Sequence, residues 1–534
     1  MMKLFTNGVI HTMNRTQPTA EAVLVGEDGR ISRVGRLADL RQEDAEIDSA
    51  ENERVEIVDL QGRTLIPGFN DAHIHVSWLG MQLTQWVDAR KHVAPDIPTI
   101  IQLYKDWAAD KPAGTWISGM GYNEALLPEG RHLTSADLDQ ASTEHPMFLI
   151  RTCGHVGVAN SLALEMAGVT AAAPDPPGGV IIRDEDGNPT GQLQETAMTL
   201  IQHLLPEPAL ADKKGAIDAC CRYLLSLGVT AATDPDVMPD WLEIYRTMDA
   251  DGALPIRLNL LASRRSGDRI VPLPEKYVSD HLRCDSVKFF SDGGMTSATA
   301  AISLPYRETG TKGVLIYDTE DMAELMWEAH SNGFRIATHA NGDVALEQVI
   351  GVYEAVNERE PRPSLRHRIE HLALPTDDHL RRCAELGVMA ATQTVFLSAM
   401  GATFRRYMPE VFYERAYGVR MMQDAGITVA LSTDAPVVPD PNPLLGLKAA
   451  IDRHDHAGDV LGHAQGISPA AALEAYTLTG AVLSGDDGEF GSIEVGKWAD
   501  LAVLSGDPQV TPVTEMLGLN VEQTYVAGEL VYER

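Results

Sequence analysis

The stretch from residue 64 to residue 75 reads TLIPGFNDAHIH. Its first three residues favour a strand, and a Pro-Gly pair then ends this extended piece. Two histidines, His73 and His75, follow one residue apart. Because residues i and i+2 of a strand point to the same side, these imidazoles can bind one cation. Two histidines at this spacing are equally typical of the protein surface or of a hydrogen-bonded core. A metal site therefore requires further ligands from elsewhere in the chain.

The composition narrows the classes of function. A chain of 534 residues is longer than one ordinary domain, so we expect one large domain and a smaller one. It carries 43 basic and 76 acidic residues, a formal charge of −33, without a basic cluster. Nucleic acids and anionic membrane surfaces are therefore poor partners, and we interpret the acidic excess as an aid to solubility.

The N-terminus and the cysteines indicate a reducing compartment. The first residues, MMKLFTNG, lack the basic and apolar regions of a secretory signal, and no apolar run of about 18 residues occurs. We therefore expect a cytoplasmic protein. The five cysteines lack the spacing of a zinc site or a CxxC motif, so we expect reduced, mostly buried thiols. They are Cys153, Cys220, Cys221, Cys284 and Cys383.

Both ends of the chain are predicted to be strands. Residues 1–66 alternate between apolar and polar side chains, with a hairpin turn at Asp28-Gly29, and residues 487–534 follow the same pattern. Neither end can bury a core alone. We therefore predict a small β-sandwich built from both termini and a central domain over residues 67–486.

The central domain alternates apolar runs with amphipathic helices, such as the helix predicted at residues 319–332. Eight such runs occur, at residues 65–75, 147–151, 229–234, 286–290, 335–339, 365–371, 388–393 and 428–434. Eight strand–helix units predict an α/β fold, a (β/α)₈ barrel with its active site at the carboxyl ends of the strands. Residues 95–203 exceed a normal connection and are predicted to be an inserted lid or subdomain.

Five of the eight runs carry side chains that can bind a metal or act as a base. These side chains are His73 and His75, Lys288, His339, Glu370 and His371, and Asp434. Any one of these side chains, taken alone, can instead be a hydrogen-bonded residue that supports the fold. Their joint placement at the ends of predicted barrel strands indicates a shared site on one rim of the barrel.

The motifs around these residues resemble those of the amidohydrolase superfamily, in the family 3 branch that contains N-substituted formamide deformylases. They are PGFNDAHIH (67–75), GGVI (178–181), GQLQE (191–195), VKFFSDG (287–293), HANGD (339–343), RIEH (368–371), TDAP (433–436) and EVGKWAD (494–500). The resemblance covers nearly the whole chain. It implies a barrel flanked by a sandwich made from both termini, in agreement with the strand pattern.

The resemblance also implies a set of metal ligands. His73, His75 and Asp434 would bind a more buried metal, and His339 and His371 an outer one. Lys288 would bridge the two as a carbamate, because a buried, neutral amine can capture carbon dioxide; the alternative is a lysine in an ordinary ion pair.

Glu195 is a rival bridging acid, a supporting acid behind the ligands, or an ordinary surface residue. Imidazole and carboxylate ligands suit one or two Zn²⁺ ions, and Mn²⁺, Fe²⁺ or Co²⁺ can substitute.

These ligands imply hydrolysis of a C–N bond. A metal lowers the pKa of its bound water to about 7, and Asp434 can take the proton and pass it to the leaving nitrogen. Asp434, Lys288 and His371 are the predicted catalytic residues. The expected substrate is a small N-formyl or N-acyl amide, and a homo-oligomer is compatible with the sequence.

Substrate contacts are expected from the remaining rim and the insertion. His155 and Gln393 can hydrogen-bond a carbonyl or serve as packed polar groups, and Tyr122 and Asn123 lie where a lid would be. Three positions depart from the family pattern and weaken any transfer of substrate specificity. They are Cys153, where Asp is common, Asn341, where an apolar residue is common, and Thr394, where Pro is common.

Two alternatives use the same barrel. One is hydrolysis of a cyclic amide or deamination of a ring, which would depend on contacts in the insertion. The other is a non-catalytic regulatory relative, but such proteins usually have gaps in the ligand set, and here every position is filled.

Overall fold

The computed structural model describes residues 1–43, 55–91, 93–266 and 269–534. At its centre, eight strands pair side by side and in parallel. Numbered first to eighth, these barrel strands are Phe69–Asp71, Val229–Val237, Arg257–Ser263, Leu282–Phe290, Arg335–Ala340, Arg368–His371, Met389–Thr392 and Val429–Leu431. A short strand, Tyr277–Val278, pairs antiparallel with the fourth.

Backbone hydrogen bonds join the first and eighth strands just beyond their ends. The N–H of Asp434 donates to the carbonyl of His73 at 2.7 Å, and the N–H of His75 donates to the carbonyl of Ala435 at 2.9 Å. This nearly closed parallel barrel, with a separate β domain, confirms the predicted fold class.

Helices connect the barrel strands and cover the barrel. Between the first and eighth strands these are Val76–Thr84, Leu210–Ser226, Pro239–Ala250, Thr319–Ser331, Asp343–Arg359, Asp377–Leu386, Val395–Tyr407 and Val419–Asp424. Pro443–Asp452, Pro469–Ala475 and Leu478–Ser484 follow the eighth strand. The predicted helix at residues 319–332 is the helix Thr319–Ser331, which buries Met322, Met326 and Ala329 against the barrel.

One predicted barrel strand is wrong and one was missed. Met147–Arg151 does not belong to the barrel; it pairs with Ile117–Tyr122 and Val156–Ala159 in a different sheet. The missed third barrel strand, Arg257–Ser263, is buried along its whole length. The strand was missed because its polar residues Arg257 and Asn259 interrupt the apolar run. Both side chains can be buried because they hydrogen-bond to residues distant in the sequence.

The inserted segment has its own six-stranded sheet. The strands are Val87–Asp88, Ile117–Tyr122, Met147–Arg151, Val156–Ala159, Gly179–Arg183 and Pro189–Glu195. The helices are Ile97–Ala109, Ser135–Asp139, Ser161–Met166 and Thr199–Gln202. This sheet begins before residue 95, where the insertion was predicted to start.

The two ends of the chain share one branched, eight-stranded sheet. Its strands are Met2–His11, Thr19–Val25, Ile31–Gly35, Val55–Asp59, Thr64–Pro67, Leu501–Leu504, Val521–Val526 and Glu529–Glu533. The N-terminal strand Thr64–Pro67 pairs directly with the C-terminal strand Leu501–Leu504. A helix, Leu37–Glu43, stands within the segment predicted to be all strand. Apart from this helix, the two ends of the chain form one β domain, as predicted.

All five cysteines are buried free thiols, which agrees with the expectation for them. Burial raises the pKa of the Cys383 thiol to about 12 and that of Cys284 to about 11. In the described ranges, no helix is both long and apolar enough to cross a bilayer.

Candidate metal centre

The carboxyl ends of the first and eighth strands bring His73, His75 and Asp434 together. Both histidines lie just beyond the first strand, which ends at Asp71, and before the helix Val76–Thr84, rather than within a strand as predicted. Oδ1 of Asp434 is 3.5 Å from Nε2 of His73 and 3.2 Å from Nε2 of His75. One ligand atom from each of the three buried residues lies within 4.8 Å of the other two.

Hydrogen bonds at Nδ1 set the orientation of the imidazoles of His73 and His371. Nδ1 of His73 donates to the carboxylate of Glu370, and Nδ1 of His371 donates to Oε1 of Gln393 at 2.6 Å. With Nδ1 occupied, each ring presents Nε2 to the cavity, as metal-bound histidines commonly do. Gln393 in turn donates to Oγ of Ser432 at 2.9 Å, so both ends of its amide bind protein groups.

Burial keeps these histidines neutral. It lowers the pKa of His73 to about 4, with a further contribution from the charge of Lys288. Burial and the neighbouring His339 hold the pKa of His371 well below its usual range. Neutral imidazoles have the free lone pair that a metal requires.

The fourth and fifth barrel strands carry two further candidate ligands, Lys288 and His339. His339 ends the fifth strand, and its ring centroid lies 4.5 Å from that of His371. Its Nε2 lies 3.2 Å from the carbonyl oxygen of Gly293 and 3.1 Å from Nδ2 of Asn341. Lys288, on the fourth strand, is 2% exposed, and burial lowers the pKa of its amine to about 8 although Glu370 and Asp434 oppose the shift.

The donor set fits a divalent transition metal. Oδ1 of Asp434 is buried and makes no hydrogen bond within the described part of the chain. Burial alone would raise the pKa of Asp434, but His73 and His75 hold it below its usual range, so the carboxylate is charged. Imidazole nitrogens beside a charged oxygen suit a metal ion.

Two of the metal-site candidates have unusual backbone conformations. His371 has φ of 74° and Asp434 has φ of 57°, in the left-handed region that residues other than glycine rarely adopt. Such conformations persist only where the surrounding structure imposes them, and they concentrate at functional sites.

These side chains line a cavity of about 190 Å³. The polar part contains His73, His75, His155, Lys288, His339, Asn341, His371 and Asp434. The apolar part contains Trp78, Phe290, Met295, Phe396, Met400, Phe404 and Val437. The cavity therefore has a polar, metal-competent floor and an apolar wall, as small-molecule sites commonly do.

The insertion contributes His155 and Glu195 beside this floor. Nδ1 of His155 is 2.9 Å from Oε2 of Glu195. Burial alone would lower the pKa of His155, but the charge of Glu195 raises it to about 9. Glu195 thus pairs with a histidine that lines the cavity and is not an ordinary surface residue.

Tyr122 and Asn123 contact the insertion instead of the cavity. The hydroxyl of Tyr122 is 3.0 Å from Nδ1 of His132, and Oδ1 of Asn123 accepts from Arg151 at 3.2 Å. Neither side chain is among the described residues that line the cavity. Their substrate contacts stay a prediction.

Sequence reasoning missed Asp292 and the supporting role of Glu370. Asp292 is fully buried and accepts from the N–H groups of Asn341 at 3.0 Å and Gly342 at 2.8 Å, which fixes the loop after His339. Glu370 is anchored by Nε of Arg368 at 2.5 Å. The available signals were the place of Asp292 directly after the strand that carries Lys288, and the alternation of Arg368 and Glu370 along one strand.

Comparisons with known proteins agree with this geometry. Residues 56–532 match the sequence model of the Amidohydrolase family. The N-substituted formamide deformylase of Arthrobacter pascens is 30% identical over 99% of this chain and 98% of its own length. The Arabidopsis thaliana protein LONG AFTER FAR-RED 3 is 30% identical over 99% of this chain and 91% of its own length.

One solved structure is similar to this chain in both fold and sequence. It is an uncharacterized metal-dependent hydrolase from Pyrococcus horikoshii OT3, with a TM-score of 0.75 and 26% identity. The match covers 96% of this chain and 99% of that one. With the family match over nearly its whole length, this chain belongs to the amidohydrolase family.

Proposed function

We propose that this protein is a metal-dependent hydrolase that cleaves the C–N bond of a small N-formyl or N-acyl amide. The observation that carries the proposal is the buried carboxylate of Asp434, whose Oδ1 has no hydrogen-bond donor among the described residues. It lies 3.5 Å from Nε2 of His73 and 3.2 Å from Nε2 of His75. The similarity to the N-substituted formamide deformylase of Arthrobacter pascens supports the choice of a formyl or acyl amide.

The proposed ligands divide into two groups. His73, His75 and Asp434 would hold one ion, His339 and His371 a second, and Lys288 would bridge them as a carbamate. We propose Zn²⁺, with Mn²⁺, Fe²⁺ or Co²⁺ as substitutes. Bound ions of this kind polarise a carbonyl and lower the pKa of water to about 7.

The chain's own residues would move the proton. Asp434 carries a charge because its pKa lies below the usual range, so it can accept a proton from the attacking water. It can then deliver this proton to the leaving nitrogen on the same side of the cavity. The apolar wall excludes bulk water and thereby strengthens the electrostatic interactions at the floor.

The test is an assay of formyl and acyl amides with wild type and Asp434→Asn. We expect wild-type turnover that a chelator abolishes and Zn²⁺ or Mn²⁺ restores, and a loss of roughly 10³-fold or more in Asp434→Asn. Asp424→Asn is the matched control, because Asp424 is an exposed helical residue. Equal, background-level turnover in wild type and Asp434→Asn, or no bound transition metal, would contradict the proposal.

A further inference from the structure

Asn341 carries a buried hydrogen-bond acceptor that has no partner. The side chain is 4% exposed and lines the cavity next to His339. Its Oδ1 makes no hydrogen bond within the described ranges. A buried acceptor without a donor is costly, so the group is stabilised when a ligand supplies one.

The amide orientation of Asn341 is set by its other end. Nδ2 donates to the carbonyl oxygen of Gly293 at 3.0 Å, and the backbone N–H of Asn341 donates to Asp292. Nδ2 also lies 3.1 Å from Nε2 of His339, and a flipped amide would place two acceptor oxygens against each other at the Gly293 contact. In this orientation Oδ1 is the end of the amide that has no partner among the described residues, in a side chain that lines the cavity.

The other residues that line the cavity indicate what kind of substrate could donate a hydrogen bond to Oδ1 of Asn341. The apolar part of the lining is made mostly of side chains without a hydrogen-bonding group, and among the described lining residues there is no arginine to bind a carboxylate. An uncharged substrate with its own N–H satisfies Oδ1 without burying an unpaired charge.

We propose that Asn341 is a specificity-determining residue whose Oδ1 accepts a hydrogen bond from the N–H of the scissile amide. The cavity then selects amides that carry an N–H over fully substituted, tertiary amides. This inference rests on the proposed function. A substrate without the N–H leaves Oδ1 unpaired, which is the kind of mismatch that polar sites reject most strongly.

The experiment compares N-phenethylacetamide with N-methyl-N-phenethylacetamide. We expect the wild-type holoenzyme to prefer the secondary amide about tenfold in kcat/KM, the size expected for one unpaired buried acceptor. In Asn341→Leu, which is nearly isosteric but lacks the acceptor, the ratio should fall to about one. A steric effect of the extra methyl group would survive this substitution, whereas a hydrogen bond would not.

Asn259→Leu is the matched control. Asn259 is also 4% exposed and also has an unpaired Oδ1, but it lies near the amino end of the third strand. It should keep the wild-type ratio. Circular dichroism verifies folding, and if Asn341→Leu does not fold, Asn341→Ala decides by the same ratio.

Binding separates this inference from the proposed function. Calorimetry in the Asp434→Asn background measures the affinity of both amides without turnover, with and without Asn341→Leu. The same tenfold preference, lost on Asn341→Leu, supports the inference even if neither amide is hydrolysed. A wild-type ratio near one, or a preference that Asn341→Leu leaves unchanged, overturns it even if both amides are hydrolysed.

Discussion

The carboxylate of Glu370 accepts a hydrogen bond from Nδ1 of His73, and both residues are almost fully buried. Arg368 holds the same carboxylate from the other side. Burial alone would raise the pKa of Glu370, but the charge of Arg368 and the hydrogen bonds from Arg368 and His73 hold it well below its usual range. A charged acceptor therefore orients the imidazole at the centre of the candidate site.

Replacing this acceptor should weaken metal binding. We expect Glu370→Gln to reduce metal affinity about 10- to 100-fold, because the ring loses the charged partner that orients it and raises its basicity. Competition with a chelator, normalised to the folded fraction, measures this effect. Glu354→Gln is the control, since Glu354 also binds an arginine, Arg382, but at a half-buried position on the helix Asp343–Arg359. Equal metal affinity in Glu370→Gln and wild type would contradict the role of Glu370.

Lys288 should carry a carbamate. Since burial lowers the pKa of its amine to about 8, the neutral form that reacts with carbon dioxide grows as the pH rises through this value. We expect protein incubated with ¹³C-bicarbonate and Zn²⁺ to show a carbamate resonance by ¹³C NMR, and Lys288→Met to lack it. A wild-type spectrum without this resonance at pH 8.5 would mean that Lys288 acts as an ordinary amine.

Two helices pack closely at Gly80. A Cβ at this position would lie 2.1 Å from the carbonyl oxygen of Ala216, so the helices Val76–Thr84 and Leu210–Ser226 would have to separate. We expect Gly80→Ala to lower the free energy of unfolding by about 1–3 kcal/mol in urea denaturation. Gly215→Ala, where a Cβ meets nothing within 4 Å, should instead be neutral or stabilise the protein by up to ~1 kcal/mol. Similar effects of the two substitutions would contradict this packing.

An ion pair couples the barrel to the terminal sheet. Nε of Arg257 lies 2.5 Å from Oδ2 of Asp500, and each side chain is only 3% exposed. Asp500→Asn leaves the guanidinium buried and unpaired, so we expect a loss of about 3–5 kcal/mol in the free energy of unfolding. Asp218→Asn, which removes the exposed pair with Arg222, should change it by less than about 1 kcal/mol. A loss of similar size in both variants would show that burial of the Arg257 pair has no effect.

The insertion should lose stability in acid through Glu124. Burial alone would raise the pKa of Glu124, but Arg151 lowers it below the ordinary value of 4.5. A carboxylate with a lowered pKa stabilises the folded state above its unfolded pKa and loses this contribution as the pH falls through its folded pKa. We expect the Tm difference between wild type and Glu124→Gln to be constant above pH 5 and to shrink below about pH 4.5. A difference that does not depend on pH would contradict this assignment.

The sequence predicted the fold class correctly, because apolar runs that alternate with amphipathic helices favour a parallel sheet covered by helices. It also placed His73, His339, His371 and Asp434 near strand ends, and the carboxyl ends of parallel strands meet on one rim. It failed at residues 147–151 and at Arg257–Ser263. Hydrophobicity does not distinguish a barrel strand from a strand of a second sheet, and it misses a buried strand whose polar residues have distant partners.

Only the tertiary structure decided how the side chains are supported. The partners of His73, His371 and His155 lie 297, 22 and 40 residues away in the chain, and no local pattern encodes such pairs. The unpaired Oδ1 of Asn341 is likewise defined by what surrounds it rather than by its neighbours in sequence. Periodicity determines which residues reach the rim, because it depends on neighbours along the chain. Hydrogen bonding and burial at the rim depend on which distant segments fold against it.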